Sequence, residues 1–272
     1  MRNLLLAALV FLALAGALAL AGAASAEENV TYATVNGTDL HLDIYQPTNA
    51  AAAARPAVLL IHGGGWIGFD KSTMRGMGGF LARNGFVGFA VDYRLFQNGQ
   101  NRWPAQLEDV RAAVRWVRAN SAKYHVDPNH IGAFGHSAGA QLAALLGMES
   151  APDSKVQAVV DVSGPTDFTG NSDPDSTAFF TSFMGSADAR RNASPLFRLS
   201  KESSPFLIVH GTKDESVSIA QAQALFEKLQ AAGVPAQFVK VEDVHTFQTP
   251  EARHQLTTET LAFFNRYLMA DH

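Results

Sequence analysis

A five-residue pattern near the middle of the chain constrains its fold more than any other stretch. Gly135-His136-Ser137-Ala138-Gly139 reads G-x-S-x-G and lies between an apolar, strand-like run and an Ala/Leu-rich run of helical character. In this pattern a strand turns sharply into a helix, and the serine occupies the tip of the turn in a strained backbone conformation. Glycines two residues before and after the serine let strand and helix pass closely. The pattern therefore predicts a strand–turn–helix unit that presents Ser137.

Apolar runs and amphipathic runs alternate along much of the chain. The run 57–61 is continuously apolar, as in a strand buried on both faces, and residues from about 218 to 232 form a helical pattern that stops at a glycine. Before them, 30–45 alternates around Asn36-Gly37, a strong hairpin signal. We expect an α/β fold, with a mostly parallel central sheet, helices on both faces and an N-terminal antiparallel hairpin.

The first residues have the features of an export signal. Arg2 precedes a long apolar run, and Ala24-Ser25-Ala26 is an A-x-A cleavage site. We expect a signal peptide at 1–26, cleaved after Ala26, and a secreted or periplasmic protein with no stable membrane anchor after cleavage; an uncleaved anchor helix is the alternative.

The chain has no cysteine, which excludes disulfides, thiol nucleophiles and thiolate metal sites.

The remainder, 27–272, is predicted to be one catalytic domain. Within it, 166–204 has no clear period, is rich in Ser, Asp and Pro, and is a candidate for a short cap segment. The formal net charge is −4 and no run of like charge occurs, so a nucleic-acid partner is not expected.

A nucleophilic serine needs a base, and the base needs an orienting partner. In this type of sheet the acid and then the histidine follow the serine along the chain, each at the end of a strand. Asp214 comes just after the apolar run 206–209, and His245 follows the strand-like run 236–241. We therefore expect Ser137, Asp214 and His245 to form the catalytic set. Rival acids are Glu215, Asp188 and Asp243.

Backbone amides beside the serine are the expected oxyanion donors. Ala138 follows the serine at the start of a helix, and the loop His62-Gly63-Gly64-Gly65-Trp66 lets amides approach a substrate without interference from side chains. This loop lacks the sequence of a phosphate-binding loop. The histidines are scattered singly without metal-ligand spacing, so no metal and no cofactor are expected. His62 and His210 are expected to orient the glycine-rich loops that follow them.

Taken together, these motifs resemble the α/β-hydrolase superfamily. The resemblance is narrower to small esterases of the hormone-sensitive-lipase-like and bacterial feruloyl-esterase-like (BD-FAE) branches, and it covers nearly the whole chain after residue 26. It implies carboxylesterase activity on small esters without a cofactor, with Ser137 as nucleophile, His245 as acid/base and Asp214 as orienting acid. It also implies that Gly64, Gly65 and Ala138 supply the oxyanion amides. The matching stretches are HGGGW (62–66), VDYRL (91–95), GHSAG (135–139), SGPTD (163–167) and HGTKD (210–214).

The substrate is expected to be a small-molecule ester or an acylated saccharide. Little of the chain is left to build a large cap, which predicts an open, shallow acyl pocket for short acyl chains, such as acetyl or feruloyl esters of polysaccharide. Candidate pocket-wall residues are Trp66, Phe179, Phe180 and Phe183, with ordinary core packing as the alternative. Other functions left open are a prolyl-oligopeptidase-like peptidase, an aryl formamidase and a non-catalytic hydrolase-fold binding protein. No feature of the sequence predicts an oligomeric state.

Overall fold

An eight-stranded sheet forms the centre of the molecule, in a computed structural model that describes residues 25–48, 53–170 and 174–269. Its strands are β1 (Ser25–Val35), β2 (Thr38–Gln46), β3 (Arg55–Ile61), β4 (Val87–Val91), β5 (Val126–His136), β6 (Ala158–Val162), β7 (Phe206–Gly211) and β8 (Ala236–Val241). The helices are α1 (Arg75–Arg83), α2 (Ala105–Ala119), α3 (Ala138–Gly147), α4 (Pro174–Met184), α5 (Ala187–Ala193), α6 (Ile219–Ala231) and α7 (Pro250–Leu268). Short 3₁₀ helices lie at Lys71–Met74 and Pro195–Phe197.

The strand order confirms the predicted fold class. The strands lie in the order β1-β2-β4-β3-β5-β6-β7-β8. β1 and β2 form an antiparallel hairpin whose turn residues, Asn36 and Gly37, both have positive φ (50° and 77°), as an Asn-Gly hairpin turn requires. β2 is antiparallel to β4, and all neighbouring pairs from β4 to β8 are parallel. The carboxyl ends of the parallel strands therefore share one edge, where such sheets place their sites.

The sheet separates two hydrophobic clusters. In β3, Leu59 and Ile61 face the cluster that includes α2, α3 and α6, whereas Val58 and Leu60 face the cluster that includes α1 and α7. Successive side chains of a strand point to opposite faces, and here both faces are covered by helices. That is why residues 57–61 of this strand are continuously apolar rather than alternating.

The segment 166–204, which has no clear period in the sequence, contains α4, α5 and a 3₁₀ helix. α4 buries Phe183, which belongs to the same core cluster as the buried residues of α3. α5 is capped by Ser186, whose hydroxyl accepts the N–H of Ala189. The helical spacing of Phe179 and Phe183 was hard to recognise because the apolar stripe is only about one turn long and polar residues surround it.

The predicted signal peptide lies almost entirely outside the described residues. Only its last two residues, Ser25 and Ala26, are described, and they begin β1. Its cleavage therefore stays a prediction. In the described ranges, no helix has both the length and the apolar character that crossing a bilayer requires.

Candidate active site

The serine lies at the tip of the predicted strand–helix turn. Ser137 joins β5 to α3 with φ 55° and ψ −120°. A Cβ on Gly135 would lie 2.2 Å from the carbonyl oxygen of Gly139, and a Cβ on Gly139 would lie 2.1 Å from that of Ile61. Neither position can therefore hold a side chain without moving the backbone. The N–H of Ser137 donates to the carbonyl of Val162 at 2.8 Å, which ties the turn to β6.

The predicted acid and histidine are in direct contact. Asp214 lies in the loop after β7, and its Oδ2 is 2.7 Å from Nδ1 of His245. Its Oδ1 accepts the backbone N–H groups of Ser216 and Val217 at 2.8 Å and 2.9 Å. Because a carboxylate only accepts, Nδ1 of His245 carries the proton and Nε2 is left as the acceptor for a hydroxyl proton.

The carboxylate of Asp214 is held in its ionised form. Its side chain is 0% exposed, and burial alone would raise its pKa. Hydrogen bonds from His210 and His245 outweigh this effect and hold the pKa of Asp214 well below its usual range. The carboxylate is therefore ionised at neutral pH and can stabilise an imidazolium on His245.

A neighbouring histidine joins the serine turn to the loop that holds His245. The Nε2–H of His136 donates to the backbone carbonyl of His245 at 2.9 Å, and the two ring centroids are 4.9 Å apart. Burial, and then the nearby His245, lowers the pKa of His136 to about 4, so its ring is neutral at neutral pH. Ser137 Oγ and His245 share no hydrogen bond among the described residues; such nucleophile–base contacts often tighten only when substrate binds.

The rival carboxylates have other positions. Asp243 accepts from the N–H of Val244 and from the N–H and hydroxyl of Thr249, so it shapes the turn that carries His245 rather than contacting its ring. Glu215 and Asp188 are exposed. Of the four candidate acids, only Asp214 contacts the imidazole in the part of the chain that the structure describes.

The glycine loop after β3 lies against the serine. A Cβ on Gly63 would lie 3.2 Å from Cβ of Ser137, which places the loop and the serine turn in van der Waals contact. Within the described ranges, the N–H groups of Gly64, Gly65 and Ala138 donate to no protein acceptor. The amide of Ala138 lies at the amino end of α3, where the helix carries partial positive charge. These three amides are available to an oxyanion.

Two positions of this loop, 64 and 65, have backbone conformations that favour glycine. Gly64 and Gly65 have φ of 104° and 59°. The carbonyl of Gly64 accepts the N–H groups of both Ile67 and Gly68 at 3.1 Å. A Cβ on Gly64 would lie 2.1 Å from the carbonyl oxygen of Gly68, so no other residue fits there without rearrangement.

A tyrosine that the sequence analysis did not select supports the same loop. The ring of His62 stacks on Tyr93 with centroids 4.2 Å apart, and its Nδ1–H donates to the carbonyl of Gly63 at 2.7 Å. The Tyr93 hydroxyl lies 3.0 Å from the carbonyl of His62 and 3.2 Å from that of Gly63, and donates to this pair. Burial lowers the pKa of His62, so its ring is uncharged. The signal for Tyr93 was its place two residues after β4, at the same edge as the other site residues.

The predicted pocket-wall residues differ in burial. Phe183 is 0% exposed and Trp66 is 4% exposed, and both are members of the hydrophobic core cluster. Trp66 packs against Phe180 and Phe183, and its Nε1–H donates to Oε1 of Gln141 at 3.2 Å. Phe179 and Phe180 are half-buried and pack beside them, so they remain candidates for the wall.

Two exposed apolar residues beside the glycine loop were also missed. Ile67 and Phe69 are 43% and 40% exposed, and they are the large apolar side chains of the described residues that stand out for exposure. Cδ2 of Phe69 would lie 2.8 Å from a Cβ on Gly64, so the ring covers the outside of the loop. Their signal was the presence of large apolar residues in an otherwise glycine-rich loop.

The described residues contain no group of three or more His, Cys, Asp or Glu that could hold a metal ion. The site combines a hydroxyl, an imidazole, a buried carboxylate and unpaired amides, which are the parts required for acyl transfer through serine.

Comparison with known proteins shows that the chain is similar to esterases. The chain is 30% identical to esterase LipC of Mycobacterium tuberculosis over 213 residues. The aligned region covers 70% of this chain but only 52% of that protein. The chain thus spans about half the length of the curated relatives it matches.

Solved structures match over most of their length. A thermophilic esterase, Est2, from the planctomycete Thermogutta terrifontis has a TM-score of 0.77 and 27% identity, covering 88% of this chain and 91% of its own. That esterase has also been solved with propionate and butyrate bound and phosphonylated by sarin. A truncated carbohydrate esterase from gut microbiota has a TM-score of 0.78 and 27% identity, covering 92% and 99%.

The BD-FAE family model matches residues 42–229, which include the glycine loop, the serine turn and the loop of Asp214. His245, in the loop after β8, lies beyond the matched range. The chain therefore belongs to the BD-FAE family and has the fold of the α/β-hydrolase esterases.

Proposed function

We propose that this protein is a serine carboxylesterase that hydrolyses small, short-acyl esters through an acyl-enzyme. The observation that carries the proposal is the 2.7 Å contact between His245 and the buried carboxylate of Asp214, beside a serine held at a strained turn. A serine hydroxyl is a poor nucleophile at neutral pH, and this pair is what activates it.

In the proposed reaction, Ser137 Oγ attacks the ester carbonyl and its proton passes to Nε2 of His245. The amides of Gly64, Gly65 and Ala138 bind the oxyanion of the tetrahedral intermediate. His245 then gives the proton to the departing alcohol, leaving the acyl group on Ser137. Water then attacks the acyl carbonyl as His245 takes its proton, and His245 returns that proton to Ser137 Oγ as the C–O bond breaks and the carboxylic acid leaves. Removing one oxyanion donor typically raises such a barrier by about 3–4 kcal/mol.

The nucleophile is tested by labelling and kinetics together. We expect Ser137→Ala to lose p-nitrophenyl acetate hydrolysis and to gain no mass from a fluorophosphonate, whereas wild type and the exposed control Ser200→Ala gain one adduct. The Thermogutta esterase phosphonylated by sarin supports this choice of probe. Equal ester hydrolysis by wild type and Ser137→Ala would contradict the proposal.

The preference for short acyl chains is part of the proposal. It is supported by the core position of Trp66 and Phe183, which fill space beside the glycine loop, and by the propionate and butyrate bound to the Thermogutta esterase. We expect p-nitrophenyl acetate to have a kcat/KM at least about 10-fold above that of the laurate, since one misplaced methylene is worth roughly 1–3 kcal/mol in a shaped pocket. Faster turnover of the laurate would contradict this preference.

For the natural substrate we propose acetyl or feruloyl groups carried by polysaccharide. The family and the structural likeness to a carbohydrate esterase from gut microbiota support an acylated saccharide. The exposed side chains of Ile67 and Phe69 offer an apolar surface beside the glycine loop. Release of acetate from acetylated xylan and of ferulate from methyl ferulate would test the two acyl groups separately.

Export is proposed on the sequence of 1–26. Expression of the full chain in a bacterial host, followed by N-terminal sequencing of periplasmic protein, is expected to give a mature chain that begins at Glu27. Recovery of only the full-length, membrane-bound chain would favour an uncleaved anchor instead.

A further inference from the structure

A buried glutamine lies one helical turn after Ser137 on α3. Gln141 is 0% exposed, and its backbone N–H donates to the carbonyl of Ser137 at 3.3 Å. Its side-chain amide has two partners. Oε1 accepts the indole N–H of Trp66 at 3.2 Å, and Nε2 donates to the backbone carbonyl of Ala193 at 2.8 Å. One side chain of α3 therefore joins the glycine loop to the end of α5.

These two partners permit one orientation of the Gln141 amide. The indole N–H can only donate, and the carbonyl of Ala193 can only accept. With the amide turned over, Nε2 would face the indole N–H and Oε1 would face the carbonyl, so neither hydrogen bond could form. Both partner residues are buried as well, so a lost bond would leave polar groups without water, which is costly.

The backbone of Trp66 needs an anchor because it is strained. Its φ is 62°, in the left-handed region that bulky residues rarely adopt, and it follows Gly65, whose φ is 59°. Such a conformation persists only where the surrounding structure holds it. Here the carbonyl of Trp66 accepts the N–H of Phe96 at 2.7 Å, and its indole donates to Gln141.

Aromatic rings of the segment 166–204 pack around the same indole. The ring centroids of Phe168 and Phe180 lie 5.7 Å and 6.4 Å from that of Trp66 in edge-on arrangements, and that of Phe183 lies 5.3 Å away. Apolar packing is not directional, whereas a hydrogen bond is. The bond to Gln141 therefore sets the orientation of the indole within this packing.

The indole is joined to the oxyanion amides by a short, tight stretch of backbone. Gly64 and Gly65 directly precede Trp66, and the carbonyl of Gly64 accepts the N–H groups of Ile67 and Gly68 on the other side of it. A change of φ at Trp66 would consequently move the N–H groups of both glycines relative to Ser137.

We propose that Gln141 is a positioning residue for the oxyanion amides: it fixes the indole of Trp66 and thereby holds the N–H groups of Gly64 and Gly65 beside Ser137. This inference rests on the proposed esterase function and adds to it a side chain too buried to touch the substrate. The amides bind the oxyanion of the transition state rather than the substrate. Loss of Gln141 should therefore lower kcat and kcat/KM by the same factor and leave KM unchanged.

The first test uses two variants that each remove the hydrogen bond between Gln141 and Trp66. Gln141→Met keeps the length of the side chain without its amide, and Trp66→Phe removes the indole N–H but keeps an aromatic ring. Rates with p-nitrophenyl acetate are expressed per serine that a fluorophosphonate labels at completion, so unfolded protein does not count. We expect kcat to fall by about 10–100-fold in each variant, with KM within about 2-fold of wild type.

The double variant and two controls separate this role from general damage to the core. Because both substitutions act through one bond, the double variant should have a kcat no more than about 3-fold below that of the weaker single variant. Gln157→Met removes an amide that also joins two backbone groups, the N–H of Ile131 and the carbonyl of Lys155. Trp116→Phe changes an indole that packs against Tyr124. Both controls should keep the wild-type kcat.

Wild-type kcat in Gln141→Met, a raised KM with unchanged kcat, or additive losses in the double variant would overturn the inference. Ester hydrolysis that survives Ser137→Ala would instead overturn the proposed function, so the two failures are distinct. If the variants do not fold, wild-type protein with ¹⁵N-labelled tryptophan decides the question by NMR. The indole signal of Trp66 is expected to shift when phenylboronic acid is added at a concentration that inhibits the enzyme, and an unmoved signal would overturn the proposal.

Discussion

The two sides of the candidate site are built on different principles. On the nucleophile side, Ser137 and the glycine loop are held by backbone contacts so close that a single Cβ would collide with them. On the acid side, Asp214 and His245 are held by hydrogen bonds and charges between side chains. Close backbone packing therefore fixes the geometry of the first side, whereas hydrogen bonds and charges of buried side chains fix the geometry of the second.

This difference predicts how each side responds to change. A steric constraint resists enlargement and is insensitive to pH. A site held by charges can accept a side chain of the same shape without unfolding. Its activity, however, depends strongly on the charge and the protonation state of its residues. Substitutions on the acid side should therefore lower activity while the protein stays folded. Substitutions of the glycines on the nucleophile side should lower its stability.

The largest effect is expected on the acid side. Asp214→Asn keeps the shape of the side chain but removes the charge that holds the His245 tautomer, so kcat/KM for p-nitrophenyl acetate should fall by about 10³–10⁴-fold. The circular dichroism spectrum should remain that of the folded protein. Asp188→Asn, at an exposed rival carboxylate on α5, is the matched control and should keep wild-type activity. A comparable loss in the control would show that the acid is wrongly assigned.

On the nucleophile side the expected loss is one of fold. Gly139→Ala places a Cβ about 2 Å from a backbone oxygen of β3, so it should lower the free energy of unfolding by at least about 3 kcal/mol in urea titrations. Gly170→Ala, where a Cβ meets nothing within 4 Å, should change stability by less than about 0.5 kcal/mol. A Gly139→Ala protein as stable as wild type would mean that the turn relaxes easily, and the contrast between the two sides would fail.

A smaller effect, dependent on pH, is expected where the two sides meet. The pKa of His136 is lowered from an ordinary value of 6.5 to about 4, so the unfolded chain takes up a proton before the folded protein does. The resulting stability is fully present above pH 6.5 and is lost as pH falls toward 4, by roughly 3 kcal/mol over that window.

His136→Gln retains a donor for the carbonyl of His245 but does not titrate. Urea unfolding at pH 7 and pH 4.5 should therefore show a smaller loss of stability in the variant than in wild type. The same drop in both proteins would mean that other groups carry the acid sensitivity.

Much of the site could be predicted because its constraints are local. The elbow pattern, the glycine loop and the Asn-Gly hairpin each specify a backbone conformation within a few residues, and all three occur where the sequence indicates them. The strand-end positions of Asp214 and His245 follow from the alternation of strands and helices. That their side chains meet is a property of the folded chain.

Other features depend on residues far away along the chain. The burial of Trp66 and Phe183 is one of them, because Trp66 packs against Phe180 and Phe183 of α4. Tyr93 and His136 act through contacts with residues far away along the chain. No local pattern encodes such contacts.

Local sequence is thus sufficient to specify the parallel sheet, the sharp turn at Ser137 and the order of the serine, acid and histidine. Backbone sterics and hydrophobic periodicity act over short distances along the chain, and therefore leave a readable pattern. Only the folded chain brings two histidines, His210 and His245, to one oxygen of Asp214. Burial and the distances between charges set the protonation of such groups, and both exist only in the folded protein.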